Sequence, residues 1–226
     1  MQPDLMVTGV FRFVLLILSI TVHECAHAWT ASRLGDQTAR MEGRVTLNPA
    51  YHVDPLGTLL IPALAIFGPF VGLGLIGRFL IGWGKPCPVN TRNFRKLVRD
   101  DSLVTLAGPA SNLLLALIAF FALAALIIGT RGHHYESNTI TYLQGFVLLC
   151  KLAMQINIML FFFNLLPIPP LDGSHIVRHQ LPYNWLNAYD SMGMFSIILM
   201  ILVGGPVVGF LMEPVMGLLY GVLNRI

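Results

Sequence analysis

The sequence predicts an all-α polytopic membrane protein: a helical bundle of about four to six transmembrane helices, with a short strand pair at the membrane surface and a re-entrant segment. Three observations carry that prediction. Of 226 residues, 55% are hydrophobic and 11% charged, whereas a soluble domain carries roughly a quarter charged residues. The mean hydropathy is +0.71. Apolar runs long enough to cross a bilayer recur along the chain, a span needing about 20 such residues. The formal charge of +3 is small and scattered, so it suggests no nucleic-acid partner and bears on topology instead. Cys25, Cys87 and Cys150 lie far apart with no CxxC pair, which suggests neither a disulfide framework nor a thiolate zinc site. Any metal needs histidine and carboxylate ligands.

In chain order, the first clear span runs from Leu5 to Thr30. It begins at Asp4 instead of a basic cluster and has no small-residue cleavage site, so it reads as mature protein and not as a secretory signal. Residues 38–50 follow, in which apolar and polar residues partly alternate around Gly43, the pattern of a short strand pair at the surface. The Leu56 to Trp83 run is long enough to cross, but Pro62, Gly68-Pro69, Gly72, Gly74 and Gly77 interrupt it. It reads as one span or as a re-entrant hairpin turning at Gly68-Pro69. Gly84 to Asn90 has too many prolines for a helix and too few charges for a free loop, so it is expected to pack against the rest. Leu103 to Ile128 and Ile140 to Leu166 are clear spans. Ser191 to Leu223 is long for one span and is divided by Gly204-Gly205-Pro206, giving one or two helices. No loop is long enough for a further soluble domain, so residues 1–226 form one membrane unit.

The chemistry-bearing pattern is His23-Glu24-Cys25-Ala26-His27, near the end of the first run. Residues four apart on a helix differ by about 40° in azimuth, so both imidazoles project from one face and reach a single ion. Glu24 sits about 100° further round, near enough to act on a water without being a ligand. Ionisable groups in an apolar helix are costly and usually face a working cavity. Cys25 points away from the histidine face. A catalytic zinc takes about three protein ligands and leaves a position open, and the leading third ligand is Asp172 in Asn164-Leu-Leu-Pro-Ile-Pro-Pro-Leu-Asp172-Gly173. Prolines break the helix there, and irregular backbone at membrane depth must be buried or line a wet cavity. Gly173 is expected to let the backbone bend close to the ion.

Together with Ala107-Gly-Pro-Ala-Ser-Asn112, these segments resemble the three signature motifs of the site-2 protease family of intramembrane zinc metalloproteases. Gly43 to Pro49 and Trp83 to Asn90 are similar to its compact members, which lack PDZ and CBS domains. The resemblance implies one Zn²⁺ held by His23, His27 and Asp172, with Glu24 as the catalytic carboxylate. It implies that Asn112 and Asn164 shape the active site or hold substrate, interhelical hydrogen bonding being the equally weighted alternative. His52 and Asp54 match a pattern of the compact group and are assigned a loop-fixing or gating role. His175 reads as a surface histidine or one behind the ligands. The implied substrate is a single-span membrane protein or a signal-peptide remnant.

If the three ligands share an ion they lie at one depth, and the spans carrying them run in the same direction. An odd number of crossings then separates them. Leu103 to Ile128 supplies one, which makes Leu56 to Trp83 a re-entrant hairpin or surface helix pair. Arg33, Arg40, Arg44, Lys85, Arg92, Arg95, Lys96, Arg99 and Arg178 then share one side, against Arg131 on the other. By the positive-inside rule that side is the cytoplasm, with the site nearer to it, in the plasma membrane of a prokaryote. Lys151 lies deep in its span and is expected to pair within the bundle. The rival readings are a zinc-binding membrane transporter or sensor, which needs polar groups at several depths, and an inactive scaffold.

Overall fold

The computed structural model describes residues 5–72, 84–133 and 136–226. Helix α1 (Leu5–Leu34) turns Gly9, Ser19, Thr21, His23, His27, Ala28, Ala31 and Ser32 inward, while Val14 and Leu18 are exposed. This inverts the soluble pattern. Lipid is as apolar as leucine, so inter-helix packing comes from small and polar residues that let backbones approach. The helix ends at Gly35, whose φ of +116° favours glycine.

Beyond it, the surface strand pair is not found, and no strand occurs among the described residues. Thr38–Met41 forms one helical turn instead, α2. Fully buried Asp36 explains this, because Oδ1 accepts from the Thr38 backbone N–H (3.1 Å) and hydroxyl (2.6 Å). That local turn competes with extended pairing. Ala39 is buried beneath it, and Gly43, at φ +72°, reverses the chain within the alternating stretch. Buried Arg44 donates to the Tyr51 carbonyl.

Asp36 also reaches across the fold. Oδ2 accepts from the Asn90 N–H (2.7 Å) and Oδ1 from Asn93 Nδ2 (2.7 Å), clamping the 90–93 turn to the end of α1. Burial pushes its carboxyl up, but hydrogen bonds from Thr38, Asn93 and Asn90 outweigh that and hold it below the ordinary 3.8. A lowered folded-state pKa contributes stability above the unfolded value, and the contribution is lost as pH falls through the folded one. Asp36→Ala is therefore expected to destabilise the protein by on the order of 3 kcal/mol at neutral pH, read by thermal unfolding in detergent. The difference from wild type should shrink below about pH 4.

A helical stretch follows from Pro55 through a wide π-helical turn, Pro55–Leu60, into α3 (Ile61–Phe67). It runs back along α1: the Phe13 and Phe67 rings meet at 6.1 Å, and a Cβ on Gly9 would stand 2.9 Å from the Phe67 ring. A tight turn at Gly68–Val71 ends it, with Gly72 at φ +81°. The second half of the Leu56 to Trp83 run, residues 73–83, lies outside the described residues. The chain reappears at Gly84, and the Lys85 N–H donates to the His52 carbonyl (2.9 Å), so the two flanks of the run are adjacent.

Helix α4 (Leu97–Thr130) and helix α5 (Ser137–Asn164) form an antiparallel pair. Ala116, Ala119 and Leu123 of α4 pack with Cys150, Met154 and Ile158 of α5 in the largest core cluster. After α5 the prolines of Pro167-Ile-Pro-Pro170 break the helix, and α6 (Asp172–Arg178) and α7 (Tyr183–Asp190) follow. The final run is one helical path of α8 (Gly193–Leu199), a π-helical turn (Met200–Gly204) and α9 (Gly205–Leu223). The wide turn accommodates Pro206, which offers no N–H to the ladder. Met216 and Leu223 bring α9 onto the α4–α5 core. Lys151 does not pair within the bundle: it has no acid or hydrogen-bond partner among the described residues and is exposed. It borders a cavity of about 430 Å³ with Tyr220 and Asn224.

Candidate metal centre

The helical repeat puts His23 and His27 on one face of α1, and both are buried there with Nε2 atoms 3.0 Å apart. The proline-broken turn after α5 delivers Asp172, in the first turn of α6, so that Oδ2 lies 3.1 Å from His23 Nε2 and 3.3 Å from His27 Nε2. Which ring nitrogens carry protons follows from the partners on the far side. His27 Nδ1 lies 2.7 Å from the Val104 carbonyl, a pure acceptor, so Nδ1 donates and Nε2 keeps its lone pair in the neutral ring. His23 Nδ1 lies 2.6 Å from Asn112 Oδ1 and donates likewise.

Two nitrogen lone pairs and a carboxylate oxygen thus converge, and the buried Oδ2 has no hydrogen-bond donor. Such a cluster is repulsive unless a cation sits within it. In a tetrahedral site with ligands about 2.0–2.1 Å from zinc, ligand atoms stand about 3.3–3.4 Å apart, close to the separations found. The donor set fits Zn²⁺. The protein packs glycine against the two imidazoles: a Cβ on Gly108 of α4 would lie 2.6 Å from His23 Nε2 and collide with His27.

Sequence comparison points the same way. The sequence profile of "Peptidase family M50" matches residues 128–203. "Putative zinc metalloprotease YwhC" of Bacillus subtilis is 41% identical over 173 residues, covering 76% of this chain and 69% of that protein. The chain belongs to peptidase family M50. "Putative zinc metalloprotease Rip2" of Mycobacterium tuberculosis H37Rv is 30% identical over 224 residues, covering 98% of this chain and 75% of the relative. The Mycolicibacterium smegmatis protein of the same name is 32% identical over 167 residues, with 73% and 56% covered. No solved structure matches the chain.

Among the described residues of this M50 member, His23, His27 and Asp172 are the one group of His, Cys, Asp and Glu side chains able to share an ion. Glu24 is half-buried beside them in sequence, and its carboxylate makes no hydrogen bond or ion pair among the described residues. Gly84 faces it, a Cβ there standing 3.3 Å from Glu24 Oε1. Burial, with the charge of Glu24 nearby, pushes the Cys87 thiol up to about 12, so it stays neutral and offers no thiolate.

The structure brings Asn112 into contact with a ligand but not Asn164, whose amide donates to the Leu160 carbonyl of its own helix (3.0 Å). His52 is buried, its Nε2 2.8 Å from the Thr46 carbonyl. Asp54 caps the helical stretch that follows, Oδ1 accepting from the Leu56 and Gly57 N–H groups at 3.0 and 2.7 Å. His175 is exposed. Gly173 packs away from the metal centre, since a Cβ there would lie 2.6 Å from the Leu166 carbonyl oxygen. Its lack of a side chain serves the close turn after α5, not approach to the ion.

Three residues without a sequence-assigned role contribute. Gly108 stands in the Ala107–Asn112 motif, in which the sequence assigns a role to the asparagine only. Asn157 accepts from Asn112 Nδ2 (3.0 Å); the available signal was its place two turns before Asn164 on the same helix face. Asp101 of α4 lies 2.7 Å from His179 Nε2, just past α6, tying the helix that carries Asp172 to the bundle. Nothing in the spacing of Asp101 and His179 announces that contact.

Proposed function

We propose that this chain is a zinc-dependent intramembrane endopeptidase that hydrolyses peptide bonds in or near transmembrane segments of membrane-protein substrates. The observation that carries this is the convergence of two imidazole nitrogens and one carboxylate oxygen within a bilayer-spanning bundle, in a chain of a peptidase family. His23, His27 and Asp172 hold the ion. When bound, zinc supplies Lewis acidity, which makes water a competent nucleophile near neutral pH and polarises a carbonyl. Glu24 takes a proton from the attacking water at its carboxylate and returns it to the departing amide nitrogen. Among the described residues that carboxylate has no hydrogen-bond partner, which leaves it available for both transfers. Asn112 holds His23 in the tautomer that presents Nε2 inward.

The substrate is a single-span membrane protein or a signal-peptide remnant. A helix shields its carbonyls in its own ladder, so the cleaved segment must open locally. By the positive-inside rule the side carrying Arg33, Lys85, Lys96 and Arg99 faces the cytoplasm, with the centre nearer that face. The Lys85–His52 bond joins the described flanks of the Leu56 to Trp83 run.

The test is zinc analysis of the purified chain with cleavage of a panel of transmembrane peptides before and after chelation. Expected are about one zinc per chain, cleavage lost on chelation and restored by Zn²⁺, and neither zinc nor cleavage in Asp172→Ala. Zinc flux across proteoliposomes without any peptide cleavage would overturn the enzyme in favour of a transporter.

A further inference from the structure

Behind His23 lies a chain of polar groups crossing three helices, and each link has a fixed direction. Asn157 Nδ2 donates to the Ala153 carbonyl of α5 (2.9 Å), which only accepts. The Asn157 amide therefore cannot be turned over, and Oδ1 must face Asn112. Asn112 Nδ2 donates to it at 3.0 Å, which leaves Asn112 Oδ1 toward α1, 2.6 Å from His23 Nδ1. Asn112 is fully buried and Asn157 nearly so, with 0% and 2% of their surface exposed, so no water relieves a wrongly turned amide.

We infer that Asn157 is a positioning residue of the metal centre: it fixes which end of the Asn112 amide meets His23 and thereby keeps the His23 proton on Nδ1 and the Nε2 lone pair on the ion. The consequence for zinc rests on the function proposed above, while the direction of the relay does not. Without Asn157, the Asn112 amide has no donor requirement on its far side. Turned over, it presents Nδ2 to His23, Nδ1 must accept, and the ring proton moves to Nε2, where it blocks ligation. Outer partners of this kind are worth roughly 10–100-fold in metal affinity.

Asn157→Leu of the full chain in detergent should therefore bind Zn²⁺ about 10–100-fold more weakly than wild type in a chelator competition. A merely structural contribution of Asn157 is separated by adding Asn112→Asp. A carboxylate accepts from Nδ1 whichever way it is turned, so the double variant should recover zinc affinity to within a few fold. Nitrogen-15 spectra of histidine-labelled, metal-free protein, taken at alkaline pH so that no second ring proton masks the tautomer, should show His23 protonated at Nδ1 in wild type and as a tautomer mixture in Asn157→Leu. An unchanged zinc affinity in Asn157→Leu, a double variant as weak as the single one, or an unaltered His23 tautomer would each overturn the relay. Failure of wild type itself to bind zinc would instead sink the zinc function, with the tautomer spectra still deciding the relay.

Discussion

Glu24→Gln is expected to lower peptide cleavage by about 10²–10⁴-fold, the range for loss of a positioned general base, while zinc stoichiometry and thermal stability stay at wild-type values. The amide has the size and shape of the carboxylate. It can neither take a proton from water nor return one to the leaving nitrogen. Because the Glu24 side chain makes no hydrogen bond or ion pair among the described residues, the substitution breaks no such contact among them. The three atoms proposed to ligate zinc belong to other residues, so metal content should not follow activity down. Measuring zinc and cleavage on the same preparation separates chemistry from folding. Cleavage within a few fold of wild type would remove Glu24 from the reaction and require another base.

How much of this was legible beforehand varies with the physics involved. The HExxH pair was readable because helix geometry alone brings residues four apart onto one face, and His23 and His27 do meet with ring centroids 4.6 Å apart. Asp172 was readable because prolines at membrane depth demand an explanation, and it lies within 3.3 Å of both rings. Residues 38–50, whose pattern predicts strands, form none. Their alternation is short, and Asp36, outside the stretch, bonds to Thr38 and sets a helical turn. A two-residue local hydrogen bond outweighed a weak periodic signal. The Asn112–Asn157 bond joins residues 45 apart, and no local rule pairs two asparagines over that distance. Gly108 was hidden for a different reason: a missing side chain has no chemistry to notice, and its value appears only when the neighbouring helix is in place.

That glycine gives the other large expected effect, and two physical arguments about it have opposite signs. On helix propensity alone, replacing a mid-helix glycine by alanine should stabilise α4 by roughly 0.5–1 kcal/mol. On packing, the added Cβ would stand 2.6 Å from His23 Nε2 and Cε1 and overlap His27, a distance that neither a carbon nor a nitrogen accepts. Relief requires α4 to move off α1 or both imidazoles to leave their rotamers, and overpacking of this kind costs about 1–3 kcal/mol. Neither motion preserves the site, because His27 Nδ1 is held by Val104 and His23 Nδ1 by Asn112, both on α4 itself. Packing should prevail at the metal centre. Gly108→Ala is expected to weaken zinc binding by at least about 10-fold, and the larger, β-branched Gly108→Val to abolish both zinc retention and cleavage. Helical content by circular dichroism should be unchanged in both, because the overlap is with side chains and not with the α4 backbone. If Gly108→Val keeps its zinc and its activity, α4 does not approach α1 as closely as the His23–Asn112 and His27–Val104 bonds require.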